Sequence, residues 1–160
     1  MKSKPHPLAA KILGAYQLLA GGYGALFFLV QIVRAGGASL GGLVFVAMYA
    51  LVAWAGWQLL NNRPNGAALT LAAQALQVAR IGSGSFAYTF LAGLAFWVTA
   101  GSGGLQVPGL GFGVSFRWMT AGGFGPRSGA EPFTIGVNLV AAAIVAYLLY
   151  GRSGGRKRKR

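Results

Sequence analysis

Acidic side chains are almost missing from this chain, which has no aspartate and a single glutamate, Glu131, among 160 residues. Cysteine is absent as well, and the lone histidine, His6, sits in a Pro5-His6-Pro7 segment. One carboxylate cannot form the paired acids of glycoside hydrolysis or a carboxylate-bridged metal site, and one histidine cannot build a zinc cluster. Without aspartate or cysteine, the usual triads, thiolate metal sites and disulfides are excluded too. The expectation is a chain with no catalytic residues, cofactor or metal of its own, unless a partner supplies the missing groups. Ion-coupled transport is disfavoured for the same reason, because it generally needs an acid that titrates or coordinates.

What the chain does have is apolar surface and basic ends. Hydrophobic residues make up 55% of it, and fourteen Lys and Arg give a formal charge of +13. Uncharged apolar stretches run from Ile12 to Val33 and from Leu40 to Leu60. As helices rising about 1.5 Å per residue, each would cross about 30 Å of hydrocarbon. A soluble fold of this composition would expose far too much apolar surface. The basic residues do not interleave with stacking aromatics along one element, so nucleic acid is not the favoured partner. Lys2 and Lys4 precede an apolar run longer than a secretory core, so the first span reads as uncleaved.

All six prolines fall outside the apolar runs or at their edges. The polar run Asn61 to Gly66 reads as a turn joining the second span to a third helix. In that third helix Thr70, Gln74, Gln77 and Arg80 recur at spacings of four and three, placing them on one helical face. From Ser85 the period changes to two: Phe86, Tyr88 and Phe90 alternate with Ala87 and Thr89, and Phe112, Val114, Phe116 and Trp118 with Gly113, Ser115 and Arg117. Such alternation reads as strand. A last apolar stretch follows Glu131 and Pro132, residues suited to a helix N-terminus.

The fold expected from these patterns is a membrane all-α bundle with a β insert. Its four transmembrane helices cover about 12–33, 40–61, 66–83 and 133–150. An aromatic- and glycine-rich β-hairpin or small sheet at 85–130 would rest on the bilayer or cap the bundle, and a basic tail occupies 151–160. The competing reading makes 86–100 a further span or a re-entrant helix. In the four-span plan ten basic residues (Lys2, Lys4, Lys11, Arg63 and six in the tail) face Arg34, Arg117 and Arg127 across the membrane. That bias places both termini in the cytoplasm and the insert outside. The setting expected is a bacterial cytoplasmic membrane, and the plan resembles small bacterial membrane proteins in outline alone, which carries no function.

Four sets of residues stand out. Gln74, Gln77, Arg80 and Asn138 form a candidate intramembrane polar face, which either lines a path or ties helices together. Arg80 and Glu131 are a candidate ion pair near the outer boundary. Arg156, Lys157, Arg158, Lys159 and Arg160 are suited to anionic lipid, each adding about 1 kcal/mol near the surface. Small residues at Ala20 with Gly24, at Gly21 with Ala25, and in the row Asn138, Ala142, Ala146 permit close helix approach, in self-association or with other membrane proteins. The letters of Gly82 to Ala87 match a dinucleotide fingerprint, but the strand before it and the acid after it are missing, so a helix end and turn is the better reading. The function expected is that of a structural or accessory subunit of a membrane assembly, the alternative being an oligomeric permeation protein built on the polar face.

Overall fold

The computed structural model describes residues 7–83, 86–101, 111–118, 121–126 and 133–153. It contains four helices and one antiparallel sheet. The helices are α1 (Pro7–Arg34), α2 (Leu40–Leu60), α3 (Gly66–Val78) and α4 (Leu139–Ser153). The strands are β1 (Ala79–Gly82), β2 (Phe86–Leu91), β3 (Leu94–Gly101), β4 (Gly111–Trp118), β5 (Ala121–Pro126) and β6 (Thr134–Asn138).

Helices α1 and α2 are long and apolar enough to cross a membrane. They are joined by a short turn in which the Ser39 side chain accepts from the Gly42 N–H at 3.1 Å, capping α2. Packing between them is backbone to backbone. A Cβ at Gly56 would stand 2.5 Å from Leu18 N and 2.6 Å from Gly14 O, and one at Gly21 would stand 2.7 Å from Tyr49 O. Glycine is therefore required where the two helices cross, and the small residues of α1 serve this internal contact. Above the crossing, aromatic rings fill the seam: Phe28 stacks on Phe45 at 5.1 Å and on Tyr49 at 5.5 Å, and Tyr49 lies 4.8 Å from Phe90 of β2. This cluster, with Val52, Ala55 and Ala73, is the main core.

The expected third and fourth spans do not form as continuous helices. Helix α3 stops at Val78 and the chain continues as β1, while the segment opening the expected fourth span is β6, with α4 starting only at Leu139. Thirteen residues of α3 give about 20 Å of helix. Among the described residues, four helical spans are thus reduced to two helices of crossing length, Leu8–Arg34 and Leu40–Leu60. The physical reason lies in pairing. Ala79 to Gly82 bond to Val137 through Thr134 on one side, and Ile81 and Gly82 to Tyr88 and Ala87 on the other. Thr134, Ile135 and Val137 are β-branched, which favours extended backbone.

Extended backbone over Phe86–Leu91 and Leu94–Gly101 settles the competing reading of 86–100 against a helix. The sheet also reaches beyond the expected insert at both ends. Its order is β4-β3-β6-β1-β2-β5. That order forces curvature. In a flat sheet with strands about 4.8 Å apart, β2 and β3 would lie about 14 Å from each other and β4 and β5 about 24 Å. Yet only three Cα steps separate Leu91 from Leu94, and three separate Trp118 from Ala121, a reach of at most about 11 Å. The sheet is therefore curled towards a barrel, with its two edge strands drawn together at one end. A buried cluster of Leu91 with Ala95 and Trp97, joining β2 to β3, occupies the inside of the curl.

Candidate functional site

Among the described residues, the β2–β3 turn gathers side-chain hydrogen bonds from three helices. Its backbone groups point into the helix bundle, where a buried amide or carbonyl without a partner would cost about 1–3 kcal/mol. Each of the three preceding helices supplies a side chain to meet them. From α1, the Tyr16 hydroxyl donates to Ala92 O (3.2 Å) and accepts from Leu94 N (2.6 Å). From α2, the Tyr49 hydroxyl donates to Leu91 O at 2.6 Å. From α3, Gln77 Oε1 accepts from Ala92 N at 2.9 Å. Gly93 closes the turn with φ +96°, where a Cβ would run into the Tyr16 ring. One further tyrosine, Tyr88 of β2, donates to Leu76 O at 2.6 Å near the end of α3.

Below the turn the polar residues continue between helices. Thr70 Oγ1 donates to Gln17 Oε1 at 3.0 Å, tying α3 to α1, and both residues are fully buried. Gln77 Nε2 donates to Ala73 O at 3.2 Å, so both ends of that amide are engaged. Asn138, at the junction of β6 and α4, accepts on Oδ1 from Phe96 N (3.2 Å) and from Val140 N (3.1 Å). It both bridges β6 to β3 and caps α4. The amide nitrogens Gln17 Nε2, Gln74 Nε2 and Asn138 Nδ2 are buried without a hydrogen-bond partner.

Of the four residues expected to share a polar face, Gln74, Gln77 and Asn138 are buried. Gln74 and Gln77 lie on one side of α3, as the spacing predicts. Arg80 does not continue that helical face. It lies on β1, opposite Gly136 of β6, which is itself opposite Thr99 of β3. The two periods coincide at Arg80, three residues past Gln77, and strand pairing decides between them. Asn138 is a strand residue paired with Trp97, so the row Asn138, Ala142, Ala146 is not one helical face. Glu131, and with it the expected ion pair to Arg80, lies outside the described residues, as does the tail Arg156 to Arg160.

Tyr16, Gln17 and Tyr49 were not among the expected site residues. The available signal was their position: polar-tipped side chains inside apolar runs, with Tyr49 at the middle of its run. Among the described residues no group of three His, Cys, Asp or Glu stands together. Comparison with protein-family models, with curated proteins and with solved structures returns no match. The functional reading therefore rests on geometry alone.

Proposed function

We propose that the chain is a small integral protein of the bacterial cytoplasmic membrane that acts as a structural or accessory subunit of a membrane assembly, with no catalytic chemistry of its own. The observation that carries this reading is how the polar side chains are used. Gln77, Thr70, Gln17, Tyr16, Tyr49 and Asn138 hold the sheet against the helices and the helices against each other. A solute path needs such groups free along a wetted surface, and these are buried. What the molecule offers outward is apolar: Leu19, Leu26 and Val33 on α1, and Leu40, Leu43 and Trp54 on α2, are exposed. Those surfaces suit lipid and the helices of other membrane proteins. Purification in mild detergent followed by native mass measurement tests the assignment. Co-purification of foreign subunits in fixed stoichiometry is expected, whereas a defined homo-oligomer alone would remove the accessory role.

A permeation protein is the second reading, favoured by one observation: Gln17, Gln74 and Asn138 each keep an amide donor without a partner. In an oligomer these donors could meet a solute rich in acceptors. Homo-oligomers that conduct or exchange solute in vesicles would establish it.

Orientation in this proposal follows the basic residues, with both termini cytoplasmic and the segment after β5, residues 127–130, on the other side. The tail at Arg156 to Arg160 would then meet anionic headgroups of the inner leaflet. Single cysteines at Ser3, Ser128 and Ser153 read this directly, since the chain has none of its own. An impermeant thiol reagent applied to intact cells is expected to label Ser128→Cys and spare the other two. The reverse pattern inverts the orientation.

A further inference from the structure

We infer that the sheet lies within the hydrocarbon layer beside α1 and α2, and that the outer face of β3, β6 and β1 is covered by lipid acyl chains. The inference rests on the membrane reading above and adds a depth and an occupant for a surface that reading leaves open.

The depth comes from hydrogen bonds. Tyr49 stands near the middle of α2 (Leu40–Leu60), and Tyr16 stands about 6 Å inside the apolar run of α1 that opens at Ile12. Both bond to the β2–β3 turn, and Phe90 just before that turn packs on Tyr49. If α1 and α2 cross the membrane, the turn reaches well inside it. Irregular backbone is tolerated at that depth only where protein satisfies its polar groups. Four backbone groups of the turn meet this condition: Leu91 O, Ala92 N, Ala92 O and Leu94 N each bond to a side chain of α1, α2 or α3.

Polarity across the sheet supports the same placement. Paired residues share a face, so the registers sort the strands into two sets. Leu94, Phe96 and Val98 of β3, Ile135 and Val137 of β6, and Ile81 of β1 point outward, each 37–47% exposed. The opposite face is mixed: the buried apolar cluster of Leu91, Ala95 and Trp97 stands beside Thr99, Arg80, Gly136 and the fully buried Asn138. A water-facing sheet would be polar outside and apolar within. This one is apolar on its exposed side and keeps Asn138, Arg80 and Thr99 on the other, as in strands whose outer side meets lipid. On the same outer face Phe90 of β2 is buried against α2 and the half-buried Tyr88 bonds to α3, so the exposed patch adjoins the surface that the helices show to lipid. The curl also helps, because drawing β4 and β5 together limits the open edge that hydrocarbon would penalise.

The chain lengths agree. Helix α3 followed by β1 spans about 33 Å, and β6 followed by α4 about 39 Å, at about 1.5 Å per helical and 3.3 Å per extended residue. Each composite is long enough to cross where its helix alone is not.

The test uses nitroxide labels on single cysteines in the full chain, reconstituted in vesicles of phosphatidylcholine and phosphatidylglycerol. Val98→Cys and Val137→Cys report the sheet face, Val44→Cys the exposed side of α2, and Asn65→Cys the polar α2–α3 turn. Collision rates with oxygen and with a water-soluble nickel chelate are read at each. The expected result is an oxygen-to-nickel ratio at both sheet positions matching Val44 and several-fold above Asn65. A lipid-type ratio at Val44 with a water-type ratio at Val98 and Val137 would overturn the inference while leaving the membrane reading intact. Water-type ratios at all four would remove the membrane reading and the inference with it. Protection from both reagents at the sheet positions would place protein rather than lipid on that face, and so overturn it.

Discussion

Replacing Gly56 by alanine is expected to unfold the helix pair far more readily than the same change at Gly22, although both glycines lie in long apolar helices. At Gly56 the new methyl would meet Leu18 N at 2.5 Å and Gly14 O at 2.6 Å, which are backbone atoms that cannot turn aside. The helices would have to separate, and overpacking of this kind costs about 1–3 kcal/mol, occasionally more. Separation would also open the aromatic seam of Phe28, Phe45 and Tyr49 above the crossing, which adds to the loss. At Gly22 a Cβ meets nothing within 4 Å, and alanine there should stabilise by up to about 1 kcal/mol through helix propensity. Gly21→Ala should behave like Gly56→Ala. Thermal or denaturant midpoints in detergent decide the matter, and equal midpoints for Gly22→Ala and Gly56→Ala would refute the close crossing.

The second large effect is expected at Gly93. Alanine there faces two penalties: a backbone with φ +96°, which costs a non-glycine residue about 1–3 kcal/mol, and a Cβ that collides with the Tyr16 ring. Their sum should reach about 3 kcal/mol or more, whereas Gly82→Ala, whose nearest contact would be 3.8 Å from Thr134, should change little. Because half of the penalty is a clash with one side chain, the double variant Gly93→Ala, Tyr16→Ala should lose less than the two single losses added together. Strict additivity would mean that Tyr16 does not sit over the turn.

How much of this was legible beforehand depends on which contacts set each element. The two long helices follow from uninterrupted apolar length, a local property; the limits of α2 agree with its apolar run, while α1 begins five residues before its run, at Pro7. Strands at Phe86 and Phe112 follow from period two, also local. Strands β1 and β6 were hidden, since four or five residues are too few to show a period and the apolar runs on either side read as one helix. Only their mutual register, Ala79 with Val137 through Gly82 with Thr134, makes them strands, and that contact joins residues more than fifty positions apart. The same blindness affected the candidate site. Gln74 and Gln77 could be grouped by spacing within one helix, but the convergence of Tyr16, Tyr49 and Gln77 on a single turn is a tertiary fact with no sequence period behind it.

The place of β6 in the sheet has a consequence for the order in which the molecule can be completed. Strand β6 lies between β3 and β1, yet it is the last strand to be synthesised. Until residues 134–138 emerge, the strands already made can join only as two separate pieces, β3 with β4 and β1 with β2 and β5. Closure therefore waits for the C-terminal segment to slot between them, a long-range pairing whose loop entropy makes it intrinsically slow. During that interval both pieces present unpaired strand edges, and β6, held by Asn138 to Phe96 and to the start of α4, is the keystone that removes the inner two.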